Sequence, residues 1–257
     1  MLVLLSCAKT MSAVSKVKVP LTTSPRFQKE AAEIALQMSQ FSVDELERLL
    51  RVNAKIAVEN YKRYQAFHAE ATPELPALLA YTGIVFKRLN PKDFSAEDFG
   101  YAQEHLRLTS FCYGLLRPLD VIRAYRLEGD VVLPELGNQT LFSYWRSRLT
   151  DTFIKDIQSA GGILCNLASD EMKSLFDWKR VESEVRVITP EFHVWKNGKL
   201  ATIVVYTKMS RGEMTRFILK NKIGNPEELK GFSWEGFEFD ESLSDERKLV
   251  FINGMGE

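Results

Sequence analysis

The chain has 257 residues, enough to bury a full hydrophobic core in one large domain or two small ones. Hydrophobic residues make up 45% and charged residues 26%, which excludes disordered and collagen-like proteins. The 34 Lys and Arg residues balance the 34 Asp and Glu residues. Binding to a polyanion would therefore have to come from local clusters of charge.

The first six residues form a short apolar run that ends in the polar loop Ser6–Thr10. No basic residue precedes the run and it is short, so it predicts a buried first strand rather than a signal peptide. No apolar stretch approaches the roughly 20 residues of a membrane span, and no membrane partner is expected.

Helical spacing of apolar residues predicts helices from Arg26 to about His68, where Ser42 opens a capping box. Pro73 to Leu89 contains two short apolar pieces joined at Gly83, consistent with a helix-hairpin-helix or with a plain helix and a strand-like tail. A further helix is predicted from Ser95, running on through residue 107 to Gly114.

Thr140 to Ala160 is predicted to be a helix that stops at two glycines, with a buried strand at residues 163–165. The C-terminal half predicts two β-hairpins. In one, strands at residues 185–195 and 200–206 flank Asn197-Gly198; in the other, strands lie at residues 236–240 and 249–252. Gly212 to Asn221 is predicted to be a helix between them. The expected fold is α+β, a single domain over residues 1–257 with a mixed β-sheet, a helical middle and the helix-hairpin-helix.

Cysteine and histidine patterns predict no disulfide or metal site. Cys7, Cys112 and Cys165 lie far apart and are flanked by apolar residues, as expected for buried thiols in a reducing cytoplasm. The three histidines show no spacing typical of metal ligands. We therefore expect neither a metal nor a cofactor.

Positive charge is concentrated in two segments. Residues 107–126 carry four arginines and one aspartate, and residues 206–222 carry five basic residues and one glutamate, whereas the tail from residue 225 is acidic. Arginine binds phosphate through two parallel hydrogen bonds, so an arginine-only segment with tyrosines favours a phosphate-binding cleft. The alternative is structural: these arginines pair with Asp120, Glu128 and helix ends.

Polar residues follow two predicted strands. Ser6, Lys9 and Thr10 follow the first, and Asn166, Ser169 and Glu171 follow the strand at residues 163–165. If these strands are parallel neighbours, both polar ends meet at one edge of the sheet, where open α/β sheets bind ligands. Ser6 and Lys9 also match a Ser-x-x-Lys spacing, but the companion motifs of that nucleophile class are absent from the sequence.

The sequence resembles the YaaA family of bacterial peroxide-stress proteins over nearly its whole length. The resemblance rests on Ser6-Cys7-Ala8-Lys9-Thr10, Arg107–Ser110, Tyr113-Gly114, Leu116–Asp120, Tyr125–Glu128, Asn166–Glu171, Tyr206, Lys208, Arg211-Gly212, Met214, Arg216-Phe217 and Asn221. It implies a cytoplasmic protein that protects cells from hydrogen peroxide and limits iron-driven damage. It also implies DNA binding, with a helix-hairpin-helix and a positively charged cleft. The sequence departs from the family pattern at Cys7 and Met172, where proline and tyrosine are usual.

The leading hypothesis is a non-enzymatic protein that binds DNA through its phosphates with little sequence specificity. The expected anion-binding residues are Ser6, Lys9, Thr10, Arg107, Tyr113, Arg117, Arg126, Lys208, Arg211 and Arg216. The expected supporting residues are Asp120, Glu128, Asn166, Ser169, Glu171 and Tyr206. The alternative is an enzyme acting on a small phosphorylated or nucleotide-like ligand, because carboxylates repel phosphate unless they orient arginines.

Overall fold

A computed structural model describes residues 1–196 and 198–254. The strands are β1 (Leu2–Leu5), β2 (Glu74–Pro76), β3 (Leu106–Ser110), β4 (Gly114–Leu116), β5 (Val121–Arg123), β6 (Val132–Leu133), β7 (Gln139–Thr140), β8 (Ile163–Asn166), β9 (Arg186–Lys196), β10 (Lys199–Ala201), β11 (Phe237–Asp240) and β12 (Lys248–Asn253). The α-helices are α1 (Gln28–Met38), α2 (Val43–Leu50), α3 (Ala54–Ala66), α4 (Ala77–Ala80), α5 (Ile84–Leu89), α6 (Ala96–His105), α7 (Leu141–Ser159), α8 (Asp170–Lys173), α9 (Trp178–Glu184) and α10 (Val204–Asn221). Short 3-10 helices lie at Pro91–Asp93, Pro134–Leu136, Pro226–Gly231 and Glu241–Leu243.

The main sheet is mixed, with the order β11-β12-β9-β8-β1-β3-β4, and β10 also pairs with β9. Its five central strands, from β12 to β3, are parallel, and antiparallel strands β11 and β4 lie at its two ends. All four residues of β1 are buried, as expected for a parallel strand covered on both faces. The sheet joins strands from both ends of the chain, in agreement with the predicted mixed sheet.

Several predicted elements are confirmed. The side chain of Ser42 accepts a hydrogen bond from the backbone of Glu45, and Ser95 and Asp98 form an equivalent capping box. Both C-terminal hairpins form, because β10 pairs with β9 and β11 pairs with β12 in antiparallel register. Asn197 of the predicted Asn197-Gly198 turn lies outside the described residues.

The helix predicted to run from residue 95 to Gly114 is wrong beyond His105. Leu106 is already extended, and residues 106–110 form β3, which is buried throughout between β1 and β4. Leu106 to Thr109 alternate apolar and polar residues, as strands do, but the segment follows α6 without a turn or a helix-breaking residue between them. Gly114 has a φ of +69° and begins β4 rather than ending a helix.

The strand predicted at residues 200–206 is also wrong beyond Ala201, because α10 begins at Val204. Ser210, Met214 and Ile218 recur every fourth residue along α10 and are fully buried. Their packing on one face outweighs the strand preference of the preceding Ile-Val-Val run. The helix expected from Gly212 therefore begins eight residues earlier.

The segment predicted as a helix-hairpin-helix contains two very short helices. α4 has four residues and α5 has six, and they are connected by residues 81–83. A Cβ atom at Gly83 would lie 2.9 Å from the Cβ of Ala8, so this connection packs against the loop after β1. The structure does not confirm the helix-hairpin-helix motif, but it places α5 beside that loop.

Candidate functional site: a cationic cavity at the strand ends

The polar residues that follow β1 and β8 meet, as the parallel-strand argument predicted. β1 and β8 are parallel neighbours, with Val3 opposite Cys165. The backbone N–H of Ser169 donates a hydrogen bond to Ser6 Oγ at 2.9 Å, and the two serine hydroxyl oxygens lie 3.3 Å apart. This contact fixes the two loops relative to each other at the carboxyl edge of the sheet.

A cavity of about 330 Å³ lies at this edge. Its lining comes from the loop after β1, the start of α5, the segment before Glu128, the loop after β8 and one face of α10. The lining residues are Leu5, Ser6, Cys7, Ala8, Lys9, Thr10, Gly83, Ile84, Val85, Phe86, Phe111, Tyr125, Arg126, Leu127, Leu167, Ser169, Glu171, Met172, Lys208 and Arg211. The volume lies at the lower end of the range for small-molecule sites, and the walls are mostly apolar.

Four cationic side chains converge on the cavity: Lys9, Arg126, Lys208 and Arg211. Arg211 on α10 is half-buried; burial lowers the pKa of its guanidinium, and Asp170 partly opposes that shift. A buried guanidinium is costly without an anionic partner. Asp170 offsets only part of this cost for Arg211.

Glu128 balances part of this charge. Its side chain is 6% exposed, and one carboxylate oxygen lies 2.8 Å from Lys9 Nζ. The other oxygen lies 3.7 Å from an Arg126 nitrogen, too far for a hydrogen bond. Glu128 thus neutralises part of the positive charge of the cavity through its ion pair with Lys9.

Buried polar atoms without hydrogen-bond partners are concentrated here. Within the described residues, five such side-chain atoms occur: Arg126 Nε, Glu128 Oε1, Asn166 Nδ2, Ser210 Oγ and Arg211 Nε. Each belongs to a residue that lines the cavity or adjoins a lining residue in sequence. Unpaired buried polar groups are rare in folded proteins and often mark a site that a ligand or water completes.

A chain of buried hydroxyl groups supports one wall. Tyr125 Oη lies 2.7 Å from Tyr81 Oη and 2.6 Å from Ser110 Oγ, which accepts a hydrogen bond from the backbone N–H of Tyr113. Burial raises the pKa of the Tyr81 and Tyr125 phenols well above the usual value, so both stay neutral. Tyr125 was not among the predicted site residues, although it directly precedes Arg126.

Other predicted anion-binding residues lie away from the cavity and pair with carboxylates. Arg107 is buried against Asp156, Arg117 bonds Asp120 at 2.8 Å, and Arg216 bonds Asp93 at 2.6 Å. Of these three ion pairs, Arg117 with Asp120 is the one that the structural alternative named. Asp120 is fully buried and also accepts from Thr23.

Two tyrosines predicted for the site also lie outside the cavity lining. Tyr113 is buried, and its hydroxyl accepts a hydrogen bond from the backbone of Arg123. Tyr206 packs against Phe237 with ring centroids 6.3 Å apart. Thr10 and Glu171, by contrast, line the cavity as expected.

The described residues contain no group of three or more His, Cys, Asp and Glu side chains placed to hold a metal ion. Within the same residues, no helix combines the length and apolar character needed to cross a membrane. Cys7 lines the cavity, and burial raises the pKa of its thiol to about 12.

Residues 1–243 match the sequence model of a family described as peroxide stress protein YaaA. The chain belongs to this family. It is 98% identical to a protein named UPF0246 protein from Bacteroides thetaiotaomicron, with both chains covered in full. A UPF0246 protein from Parabacteroides distasonis is 56% identical over 98% of this chain and 99% of the relative. One from Crocosphaera subtropica is 38% identical over 98% of this chain and all of the relative. These matches confirm the resemblance drawn from the sequence.

Proposed function

We propose that this peroxide stress protein binds DNA through its phosphates at the cationic cavity, with little sequence specificity. The observation that carries the proposal is the convergence of Lys9, Arg126, Lys208 and Arg211 on one cavity. The Nε atoms of Arg126 and Arg211 are buried there without a hydrogen-bond partner. Charge-assisted hydrogen bonds from arginine to phosphate would satisfy both atoms. In this proposal the protein works in the cytoplasm and limits iron-driven damage by occupying DNA.

The short helices α4 and α5 are part of the same proposal. Gly83 and the first three residues of α5 line the cavity, at the place where the family resemblance implies a helix-hairpin-helix. We propose that this segment contacts the DNA backbone beside the phosphate in the cavity. Because the cavity is concave, a kinked or unpaired strand would present a phosphate to it more readily than a straight duplex.

The salt dependence of binding tests the proposal. Each phosphate contact releases counterions, so the slope of log affinity against log salt should fall by about one for each cavity cation removed. Arg211→Gln and Lys208→Gln are the test variants, and Arg216→Gln, which lies outside the cavity and is paired with Asp93, is the matched control. Fluorescence anisotropy with a labelled duplex at several salt concentrations gives the slopes. Equal slopes in all variants, or no binding at low salt, would contradict the proposal.

A second candidate function is an enzyme acting on a small phosphorylated or nucleotide-like ligand. It is favoured by the volume of the cavity, about 330 Å³, which suits one small molecule. It is also favoured by Glu128, a buried carboxylate with one oxygen free of hydrogen bonds. A panel of nucleoside phosphates in a thermal-shift assay tests it, because a ligand of the folded state raises the midpoint. The candidate fails if no nucleotide shifts the midpoint, or if Glu128→Gln leaves such a shift unchanged.

A further inference from the structure

Exposed apolar side chains cluster at the β9–β10 hairpin and the first turn of α10. Trp195 is 45% exposed, Leu200 38%, Val204 65% and Val205 47%. Trp195 and Leu200 are directly opposite each other in the antiparallel pair, so they share one face of the hairpin. Only residues 202 and 203 separate β10 from α10. We name these four residues the hairpin face.

The segment that carries the hairpin face is basic, whereas Glu191 and Glu238 lie farther along the same face of the sheet. Residues 192–212 contain Lys196, Lys199, Lys208 and Arg211 and no carboxylate. Lys196 and Lys199 are themselves opposite each other across the two strands, an arrangement of like charges that destabilises a hairpin. Within the described part of the chain, Lys196, Lys199 and Lys208 form no salt bridge. The surface is therefore apolar, aromatic and complementary to an anion.

The hairpin face is continuous with the cavity along α10. Val204, Lys208 and Arg211 are spaced by four and three residues, which places them on one stripe of the helix. Exposure falls along this stripe, from the exposed Val204 to the half-buried Arg211. A ligand whose phosphate reaches Arg211 would extend over Lys208 toward the hairpin face.

We propose that the hairpin face is a stacking platform for unpaired nucleobases of a strand whose phosphate occupies the cavity. This inference rests on the proposed DNA-binding function. Proteins that bind single strands combine a cationic track for the backbone with aromatic side chains on which the bases stack, and both are present here. A second copy of the chain fits poorly, because a symmetric contact would bring each lysine cluster against its own copy.

The test compares three probes: a labelled oligothymidylate of about twelve nucleotides, an abasic strand of equal length and a duplex. Trp195→Ala should weaken oligothymidylate binding by about 5- to 150-fold, the range measured for base–aromatic stacking. It should leave binding to the abasic strand and the duplex within about twofold, since their backbone contacts remain. Trp195→Phe retains an aromatic ring and should keep most of the affinity. Leu36→Ala, at an exposed position of α1, is the control and should change nothing.

The outcomes separate the two proposals. If the duplex binds with the expected salt dependence but Trp195→Ala binds oligothymidylate like the unsubstituted protein, the stacking inference is wrong and the phosphate site stands. Equal losses for the thymidylate and abasic strands also overturn it. If no DNA of any kind binds, both proposals fail. Trp195→Ala could instead abolish self-association, or binding to anionic vesicles, and leave oligothymidylate binding unchanged. Either result would assign the hairpin face to another partner and overturn the inference.

Discussion

Lys9 Nζ lies 2.8 Å from a carboxylate oxygen of Glu128, which links the loop after β1 to the segment that carries Arg126. The two partners differ in environment, because the Lys9 side chain is 61% exposed and that of Glu128 is 6% exposed. The buried Glu128 carboxylate therefore needs a cationic partner, whereas the exposed Lys9 ammonium is also stabilised by water. A bound phosphate would compete with this carboxylate for the same cations.

Replacing the carboxylate of Glu128 tests the proposed DNA binding. Glu128→Gln keeps the shape of the side chain but removes its negative charge, so Lys9 and Arg126 become free to bind phosphate. We expect duplex DNA to bind about two- to fivefold more tightly, the value of a partly exposed ion pair. Anisotropy titrations at one salt concentration measure the change. Weaker DNA binding would contradict a phosphate site that Glu128 partly neutralises.

A glycine of α10 tests the packing that holds the cavity wall. A Cβ atom at Gly212 would collide with the backbone oxygen of Val85 and lie 2.8 Å from Arg88 Cβ, whereas one at Gly100 in α6 would meet no atom within 4 Å. Gly212→Ala should lower the free energy of unfolding by about 1–3 kcal/mol through overpacking. Gly100→Ala should raise it by about 0.5–1 kcal/mol, since alanine favours a helix. Urea denaturation measures both, and a stabilising effect of Gly212→Ala would show that α5 does not pack on α10 as described.

Asp156 should matter for stability and not for binding. Its carboxylate accepts from Arg107 at 2.5 Å and from Arg26 at 2.8 Å, and the Arg107 side chain is 7% exposed. Asp156→Asn leaves a buried guanidinium without a charged partner, at a cost of about 3 kcal/mol. Glu59→Gln, which breaks an exposed pair with Arg63, should cost under about 1 kcal/mol. Folded Asp156→Asn should bind DNA normally, and a change in its salt slope would place Arg107 at the DNA interface.

The thiols should be unreactive in the folded protein. Burial raises the pKa of Cys7 and of Cys165 to about 12, and it raises the pKa of Cys112 further. Because the thiolate is the reactive form, labelling at pH 8 should be slower than in the unfolded chain by about three orders of magnitude. Absorbance of a disulfide reagent in the presence and absence of urea measures the rates. Fast labelling of the folded protein at Cys7 would show that the cavity stabilises its thiolate.

The same shifts predict loss of stability in alkali. Above about pH 9 the unfolded chain releases thiol protons that the folded chain retains up to about pH 12. Each such thiol should therefore lower the free energy of unfolding by about 1.4 kcal/mol per pH unit in this window. Urea midpoints at pH 8 to 10 measure how steeply the free energy of unfolding falls with pH. Cys7→Ala should make this slope shallower by the contribution of one thiol. A slope that Cys7→Ala leaves unchanged would contradict the shifted pKa.

Local signals predicted those elements in which one face is buried and the other exposed. The capping box at Ser42 and the strand pair around Gly198 needed only neighbouring residues. β3 was missed because it follows α6 with no residue between them, so its alternating Leu106–Thr109 segment was assigned to the continuing helix. The start of α10 was missed because Val204 and Val205 have strand preferences that packing farther along the helix overrides.

The site was predictable only where a long-range rule applied. The meeting of Ser6 and Ser169 followed from parallel pairing of β1 and β8. No such rule applied to the arginines of residues 107–126. The direction of each arginine side chain depends on which carboxylate the fold brings near it. Arg107 pairs with Asp156, and Arg117 pairs with Asp120. Of the four arginines in residues 107–126, Arg126 alone lines the cavity.

The position of β1 at the centre of the sheet has a consequence for biosynthesis. β1 is translated long before its neighbours β3 and β8, which begin only at Leu106 and Ile163. Pairings across such long sequence separations form slowly, and a nascent apolar strand is prone to aggregate while it waits. The cavity also needs Arg211, so it closes only after most of the chain has been translated. The complete site therefore forms only late in synthesis, after both neighbours of β1 have been translated.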